Sequence, residues 1–184
     1  MNVGALFLIP GFGLGPDDYA EMVKATRLDV HAVDVWPKTE AGVREVGRPG
    51  TPQFDAWFQY TLRRCEKELE KHPDVTTIFA HSAGYLLAKE LANKRGSGQG
   101  KPVVAFGVTA DESATTFLHG RTDSLVKCTA ERVFDCGHFG CVSGGAARRC
   151  RELQRAIGST VVTEAYVDRQ AEIGRAVREA MAAP

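Results

Sequence analysis

A strand pattern runs directly into a helix pattern in Val75-Thr-Thr-Ile-Phe-Ala-His-Ser-Ala-Gly-Tyr-Leu-Leu-Ala-Lys-Glu-Leu91. Its first residues are mostly β-branched or aromatic, among them Val75, Ile78 and Phe79, and such a short apolar run is typical of a buried strand. Its last residues place leucine and alanine at helical spacing, which gives a helix one apolar face. This part of the chain therefore predicts a strand that continues, almost without a loop, into a helix.

The turn between the two elements is Ala80-His-Ser-Ala-Gly84. A chain that passes from strand to helix in so few residues forces its corner residue into a strained backbone conformation, often with positive φ. The small neighbours let the two backbones approach, and the Ser82 hydroxyl is then exposed in front of the first N–H groups of the helix. Two interpretations remain open: Ser82 is a nucleophile, or it is an ordinary helix cap.

Length and composition indicate one domain over residues 1–184. The chain is 43% hydrophobic and 25% charged, as is usual for a protein with an ordinary buried core. Lys+Arg 23 balance Asp+Glu 23, and this zero net charge argues against a nucleic-acid partner. The chain has no apolar run of membrane-spanning length, and its apolar start lacks the basic region of a signal peptide. We therefore expect a first strand there and no membrane association.

The five cysteines favour free thiols, because their number is odd and their spacing is irregular. Free thiols persist in a reducing compartment, so we expect a cytoplasmic protein. One arrangement, Cys136-Gly-His-Phe-Gly-Cys141, could supply three zinc ligands, but it lacks paired Cys-x-x-Cys motifs and a fourth ligand. We therefore predict neither a metal nor an organic cofactor.

Strand and helix patterns alternate along the whole chain. Beside the stretch quoted above, strand patterns cover residues 3–9, 29–35, 102–108 and 131–135, and helix patterns cover residues 16–25, 54–71, 144–157 and 162–182. Residues 38–53 show no period, so we interpret them as a long loop, either at the rim of a pocket or on the open surface. The alternation predicts a three-layer α/β/α domain with a mainly parallel sheet of about five to six strands. Ligand sites in such sheets lie at the carboxyl ends of the strands.

The first strand is followed by a glycine-rich loop, Pro10-Gly-Phe-Gly-Leu-Gly-Pro16. The loop lacks the Lys-Ser/Thr of a phosphate loop and the glycine spacing of a dinucleotide-binding loop. It could be a flexible turn. Alternatively, its glycines let a backbone N–H point into an active site and bind an oxyanion.

A serine hydroxyl becomes a good nucleophile when a base removes its proton, and histidine has a suitable pKa near neutral pH. His138 alone follows the last predicted strand in a tight Gly-His loop. His31 lies in a predicted strand, His72 precedes a proline, and His119 lies in an undefined segment. His81 is next to Ser82 but on the opposite side of the predicted strand. We therefore predict His138 as the base, the alternative being a surface histidine near the cysteines.

Two aspartates could orient His138. Asp111 follows the strand pattern at 102–108, and Asp123 lies in a Gly-x-x-Asp-x-x-Val string. Parallel neighbours usually need a crossover of about a dozen residues. A sheet strand at 114–119 would have shorter connections on both sides, without room for a helix. Connection length therefore favours Asp111, with Asp123 as the alternative acid, and either residue could instead be a turn aspartate.

Several motifs resemble those of known serine hydrolases. Ala80-x-Ser-x-Gly84 resembles the nucleophile elbow of the α/β-hydrolase superfamily, with alanine at the first glycine, and Pro10-Gly-Phe-Gly13 resembles its oxyanion loop. With Phe106-Gly-x-Thr-x-Asp111 and Asp135-Cys-Gly-His-Phe139, these motifs resemble a group of small, lid-less serine hydrolases. That group includes the retinoblastoma-binding-protein-like hydrolases, and the resemblance covers residues 3–140 in separate blocks.

The resemblance implies a chain order of nucleophile, acid and histidine, which Ser82, Asp111 and His138 satisfy. It also implies that the backbone N–H groups of Phe12 and Ala83 bind the oxyanion. One difference is that the interval between Ser82 and Asp111 is too short for the family's extra strand and helix. The Leu-x-Cys-x-Glu string is also missing, so binding to retinoblastoma protein is not implied.

These residues predict a serine hydrolase that cleaves a small ester, thioester or amide through a Ser-His-Asp triad and an acyl-enzyme. The expected partner is a small-molecule acyl substrate. We expect Gly11, Leu14, Trp36 and Phe139 to line its pocket, although apolar residues of this kind are also common in a core. Two other functions fit the same pattern: a protein of this fold that binds a ligand without turnover, and an acyltransferase that uses the same triad.

Overall fold

The computed structural model describes residues 4–94, 101–109, 116–126 and 132–182 as a six-stranded sheet with helices on both faces. The strands are β1 (Ala5–Ile9), β2 (Val30–Ala32), β3 (Val75–His81), β4 (Val103–Phe106), β5 (Thr116–Gly120) and β6 (Arg132–Phe134). The helices are α1 (Ala20–Thr26), α2 (Glu40–Val46), α3 (Pro52–Lys71), α4 (Gly84–Lys94), α5 (Gly144–Ala156) and α6 (Gln170–Ala182), and a short 3₁₀ turn, Pro16–Tyr19, precedes α1. Among the described residues, no helix combines the length and the hydropathy needed to cross a bilayer.

All six strands are parallel, in the order β2-β1-β3-β4-β5-β6. This arrangement confirms the predicted α/β/α layers and the strand number. Because the strands run in one direction, their carboxyl ends form one edge of the sheet, where ligand sites of such folds occur. The loops that follow β1, β3, β5 and β6 all begin at this edge.

The residues of β1 alternate between two apolar layers. Leu6 and Leu8 pack in the layer that contains α1, α5 and α6, whereas Phe7 and Ile9 pack in the layer that contains α3 and α4. All five residues of β1 are buried, as expected for a strand that helices cover on both faces. The continuous apolar run in the sequence therefore follows from burial on both sides.

β5 shows that the expectation based on connection length is wrong. Residues 116–120 form a parallel strand of the sheet, although only residues 107–115 connect them to β4. A crossover of about a dozen residues is what a helix requires, whereas an extended chain spans up to about 3.3–3.6 Å per residue. Residues 107–115 are therefore enough to return along the four residues of β4 and to reach the next strand, about 4.8 Å away. The strand that the spacing argued against is β5.

Helix α2 lies within residues 38–53, which the sequence predicted as a loop without secondary structure. The Thr39 hydroxyl accepts a hydrogen bond from the Gly42 N–H at 3.2 Å and caps the first turn. Val43 and Val46, three residues apart, are buried on its inner side. A single cap and two valines are a weak pattern, because the flanking glycines and prolines remove any longer period.

The last helix begins at Gln170, so the prediction of a helix over residues 162–182 is wrong for its first eight positions. The Asp168 side chain accepts a hydrogen bond from the Gln170 N–H at 2.9 Å and marks the start of α6. The β-branched run Val161-Val-Thr163 disfavours a helix further upstream.

Candidate active site

Ser82 lies at the corner between β3 and α4 with a backbone φ of 51°. The left-handed conformation is unfavourable for a serine, and the surrounding contacts maintain it. The Ser82 N–H donates to the Phe106 carbonyl at 2.9 Å. A Cβ atom at Gly84 would lie 2.7 Å from the Ile9 carbonyl oxygen, so only glycine allows α4 to approach β1 this closely. The predicted strained corner is confirmed.

Three side chains from different strand ends form a hydrogen-bonded chain, which we call the triad. Ser82 Oγ lies 2.8 Å from His138 Nε2, and His138 Nδ1 lies 2.8 Å from Asp123 Oδ2. The His138 side chain is 2% exposed and that of Asp123 is fully buried. A carboxylate only accepts hydrogen bonds, so His138 Nδ1 carries the proton of that bond. In the neutral ring, Nε2 then accepts the Ser82 hydroxyl proton.

Asp123 is the aspartate that reaches His138 in the described structure. Its Oδ1 atom accepts the N–H groups of Leu125 and Val126 at 2.8 and 3.1 Å. Burial raises the pKa of Asp123, but the hydrogen bond from His138 and these two N–H groups outweigh burial and hold that pKa below its ordinary value. The preference for Asp111 depended on connection length, which β5 overturns, and Asp111 itself lies outside the described residues.

The two candidate oxyanion donors lie beside Ser82. Phe12 and Ala83 line the same cavity, and among the described residues neither of their N–H groups donates a hydrogen bond within the protein. Ala83 immediately precedes α4, where the first N–H groups of a helix have no partner. The peptide plane of the Phe12 N–H is fixed, because the Gly11 carbonyl accepts a hydrogen bond from the Leu14 N–H at 3.1 Å. Free, fixed donors next to a nucleophile are what an oxyanion hole requires.

His81 is a residue of the site that the sequence analysis left without a role. Its ring is completely buried, with its centroid 5.1 Å from that of the His138 ring, and Nε2 lies 2.9 Å from the His138 carbonyl oxygen. Its Nδ1 atom lies 2.8 Å from the Tyr19 hydroxyl, which accepts the Gly11 N–H at 2.8 Å. Because the carbonyl only accepts, Nε2 donates to it, and Nδ1 accepts the Tyr19 hydroxyl proton.

This network requires a neutral imidazole at His81. Burial lowers the pKa of His81 to about 3, and repulsion from His138 is the next cause. The neutral ring therefore connects the loop after β1, which carries Phe12, to the loop after β6, which carries His138. The only local signal for this role is the position of His81 immediately before the nucleophile.

Glu164 is a second residue that sequence reasoning missed. Its Oε1 atom accepts the His138 N–H at 2.7 Å, and its Oε2 atom accepts the Ser124 N–H at 3.3 Å. The carboxylate therefore joins the loop after β6 to the turn after β5, one residue beyond Asp123. Glu164 lies in the segment predicted as part of the last helix, so no local pattern pointed to it.

The residues predicted to line a pocket occupy three different places. Leu14 and Phe139 border a narrow crevice of about 10 Å³ beside the triad. Trp36 borders a larger cavity of about 550 Å³ on the side of the oxyanion donors. Gly11 is buried, and its N–H is bonded to the Tyr19 hydroxyl.

None of the described cysteines takes part in the hydrogen bonds of the triad. The four cysteines in the described part of the chain are buried free thiols: Cys65, Cys136, Cys141 and Cys150. Burial raises the pKa of Cys136 to about 12, so its sulfur stays protonated at neutral pH. His138, between Cys136 and Cys141, has both ring nitrogens in the triad.

A possible metal-binding group lies at the opposite end of the sheet. In the described residues, His31, His72 and Asp74 each offer one ligand atom, and these atoms lie within 4.8 Å of one another. The two imidazole rings stack with centroids 3.5 Å apart and planes 16° apart. Their nitrogen lone pairs therefore lie in nearly parallel planes and do not converge on one point.

Comparisons of the chain with protein-family models, with curated proteins and with solved structures found no match. What is established is the fold, a parallel α/β/α sheet, together with the geometry of the triad at its carboxyl edge. Many unrelated functions share such folds, so function has to be argued from the site.

Proposed function

We propose that this protein is a serine hydrolase of the α/β-hydrolase type, which cleaves a small ester, thioester or amide. The observation that carries the proposal is the unbroken hydrogen-bonded chain Ser82–His138–Asp123, which begins at a strained strand–helix corner. The unpaired N–H groups of Phe12 and Ala83 beside that corner add to it. Nucleophile, base, orienting acid and oxyanion donors are the complete set that acyl transfer needs.

In the acylation step, Ser82 Oγ attacks the substrate carbonyl carbon while His138 Nε2 takes the hydroxyl proton. The carbonyl oxygen becomes negatively charged and accepts hydrogen bonds from the Phe12 and Ala83 N–H groups. The same His138 proton then passes to the leaving group as the bond to the carbonyl carbon breaks. Water, deprotonated by His138, attacks the acyl-enzyme and releases the carboxylic acid and free Ser82.

Asp123 has two roles in this cycle. Its hydrogen bond to His138 Nδ1 selects the tautomer whose Nε2 lone pair faces Ser82, and its charge stabilises the imidazolium that forms. The lowered pKa of Asp123 keeps it ionised at neutral pH, as this role requires. The buried free thiols fit a reducing compartment, and we expect the enzyme in the cytoplasm.

The test is labelling of the protein with a fluorophosphonate probe, together with hydrolysis of p-nitrophenyl acetate. We expect Ser82→Ala to abolish labelling, and Ser82→Ala or His138→Ala to lower turnover by about 10⁶, as in well-studied triads. Ser143→Ala is the matched control, because Ser143 is also at a helix start, where it caps α5. That variant should keep full labelling.

Two results would contradict the proposal. One is a wild-type protein that neither reacts with the probe nor cleaves the ester, which would leave a ligand-binding protein of this fold. The other is labelling that persists in Ser82→Ala, which would assign the nucleophile to another residue.

A further inference from the structure

A cavity of about 550 Å³ opens beside the candidate oxyanion donors. Phe12 and Ala83 form part of its wall, and Ala83 adjoins the nucleophile. A carbonyl group that Ser82 attacks, with its oxygen bound by these N–H groups, therefore has a substituent close enough to enter the cavity. The volume is within the range of pockets that bind small organic molecules.

Most of the cavity wall is apolar. The apolar side chains come from α2, the segment before it, the starts of α3 and α4, and the segment after α5: Trp36, Val43, Val46, Phe54, Leu86 and Ile157. The Trp36 indole N–H already donates to the Pro10 carbonyl at 3.0 Å, so this residue offers only carbon surface to a ligand. Its ring packs against those of Trp57 and Phe12, with centroids 4.6 and 5.6 Å apart, and its position is therefore fixed.

Leu86 gives a second indication that an apolar group binds here. It lies in the first turn of α4 and borders the cavity, yet it is 46% exposed. A large apolar side chain at the mouth of an apolar cavity loses its contact with water when an apolar ligand enters, which favours binding.

Among the described residues, the crevice on the other side of the triad is far smaller. The crevice between Leu14 and Phe139 has a volume of about 10 Å³, which is about the space of one water molecule. Both side chains are buried, at 1% and 3% exposure, and the crevice therefore cannot widen without disturbing the core. Of these two spaces, the cavity is the one that can hold an extended substituent on the attacked carbonyl.

Among the described residues, Arg48 is the only ionisable residue in the cavity wall. It is exposed, and it forms no ion pair within the described part of the chain. No carboxylate among the residues that the structure describes lines the cavity to balance this charge. An anionic group at the end of an apolar chain is therefore favoured over a cationic group.

We propose that this cavity binds the apolar acyl chain of an ester or thioester, and that Arg48 favours a chain that ends in an anionic group. The inference rests on the proposed function, because it assigns the acyl part of the bond that Ser82 cleaves. The chain enters beside Ala83, lies against Trp36 and Leu86, and ends near Arg48.

The first experiment measures kcat/KM for p-nitrophenyl esters from acetate to octanoate. Each added methylene that enters the cavity should raise kcat/KM about threefold to fourfold. Leu86→Glu should flatten this dependence. Val133→Glu is the matched control, because Val133 is another apolar residue with 46% exposure, on the distant strand β6, and it should keep the dependence. An active wild-type enzyme without chain-length preference, or an equal loss in both variants, would overturn the proposal.

The second experiment uses Ser82→Ala protein and isothermal titration with monomethyl suberate and methyl 8-aminooctanoate, which share an ester group and a chain length and differ in the charge at the far end of the chain. Monomethyl suberate should bind more tightly, and Arg48→Gln should lower the ratio of its affinity to that of methyl 8-aminooctanoate about twofold to fivefold, as expected for an exposed charge pair. Arg63→Gln, an exposed arginine on α3, should leave the ratio unchanged. Equal affinities, or tighter binding of methyl 8-aminooctanoate, would overturn the role of Arg48.

The two experiments separate failure of the inference from failure of the proposed function. If acetate is hydrolysed and Ser82 is labelled while chain length has no effect, the cavity assignment falls and the hydrolase remains. If monomethyl suberate binds but no ester is cleaved and Ser82 is unlabelled, the hydrolase and the acyl assignment fall together.

Discussion

His81 should make the protein lose stability in mild acid. In the folded protein its Nδ1 accepts the Tyr19 hydroxyl and its Nε2 donates to the His138 carbonyl, so a second proton has no acceptor. The unfolded chain takes up that proton near the ordinary pKa of 6.5, whereas burial lowers the pKa in the folded state to about 3. The neutral form therefore stabilises the fold above pH 6.5, and this contribution is lost as the pH falls towards 3.

The magnitude follows from these two values. One pKa unit corresponds to about 1.36 kcal/mol. A pH of 4.5 lies two units below the pKa of His81 in the unfolded chain, whereas His81 in the folded protein is still neutral at this pH. The free energy of unfolding should therefore fall by about 2.7 kcal/mol between pH 7.5 and pH 4.5 through this residue alone. Domains of this size are stable by about 5–15 kcal/mol, so the loss is measurable.

The assay is urea unfolding followed by the fluorescence of Trp36 and Trp57 at several pH values, for wild type and His81→Gln. The glutamine amide can donate and accept in place of the ring but does not titrate. All other groups are common to both proteins, so the wild type should lose about 2.7 kcal/mol more than the variant over this range. Parallel pH dependences in the two proteins would refute a buried neutral His81. If His81→Gln does not fold, His81→Asn serves the same comparison.

Two further predictions concern the packing behind the triad. Gly84→Ala should lower the free energy of unfolding by about 1–3 kcal/mol in urea melts, because the added methyl group meets the carbonyl oxygens of Ile9 and Pro10. Gly145→Ala in α5 should be neutral or stabilising by up to about 1 kcal/mol, because the added methyl group would have only an Arg149 side-chain nitrogen at 3.8 Å. Equal effects would show that space is not limiting at the corner. Tyr19→Phe should cost about 1–3 kcal/mol and lower kcat more than it raises KM, since it leaves the Gly11 N–H and His81 Nδ1 buried without partners. Tyr166→Phe removes a less buried hydroxyl, which donates to the Val142 carbonyl, and should cost less; the reverse order would contradict the network.

The parts of the site that the sequence revealed are those with local patterns. The strand, the tight turn and the helix around Ser82 are adjacent in the chain, and each has its own period or composition. His138 was found because it follows the last strand pattern in a tight turn. The parallel sheet followed from the alternation of elements, which limits the possible topologies.

The acid could not be chosen in this way. The choice between Asp111 and Asp123 depended on which segments are sheet strands, and average crossover lengths are a poor guide where strands are short. β5 has only five residues, and a polar histidine, His119, interrupts its apolar pattern. Pairing with β4 and β6, rather than local propensity, makes it a strand.

His81 and Glu164 were missed for a different reason. Each acts on the backbone of His138, His81 from the end of β3 and Glu164 from the segment after α5. Such contacts are formed by tertiary packing and leave no periodic trace in the sequence.

The most direct test of the triad is the comparison of Asp123→Asn with Asp111→Asn in the hydrolysis of p-nitrophenyl acetate. Asparagine at 123 keeps the shape of the side chain but removes the charge and can donate to Nδ1, which selects the wrong tautomer of His138. We predict that kcat/KM falls on the order of 10⁴-fold in Asp123→Asn and changes little in Asp111→Asn. A silent Asp123→Asn beside an inactive Asp111→Asn would contradict the triad described for this protein.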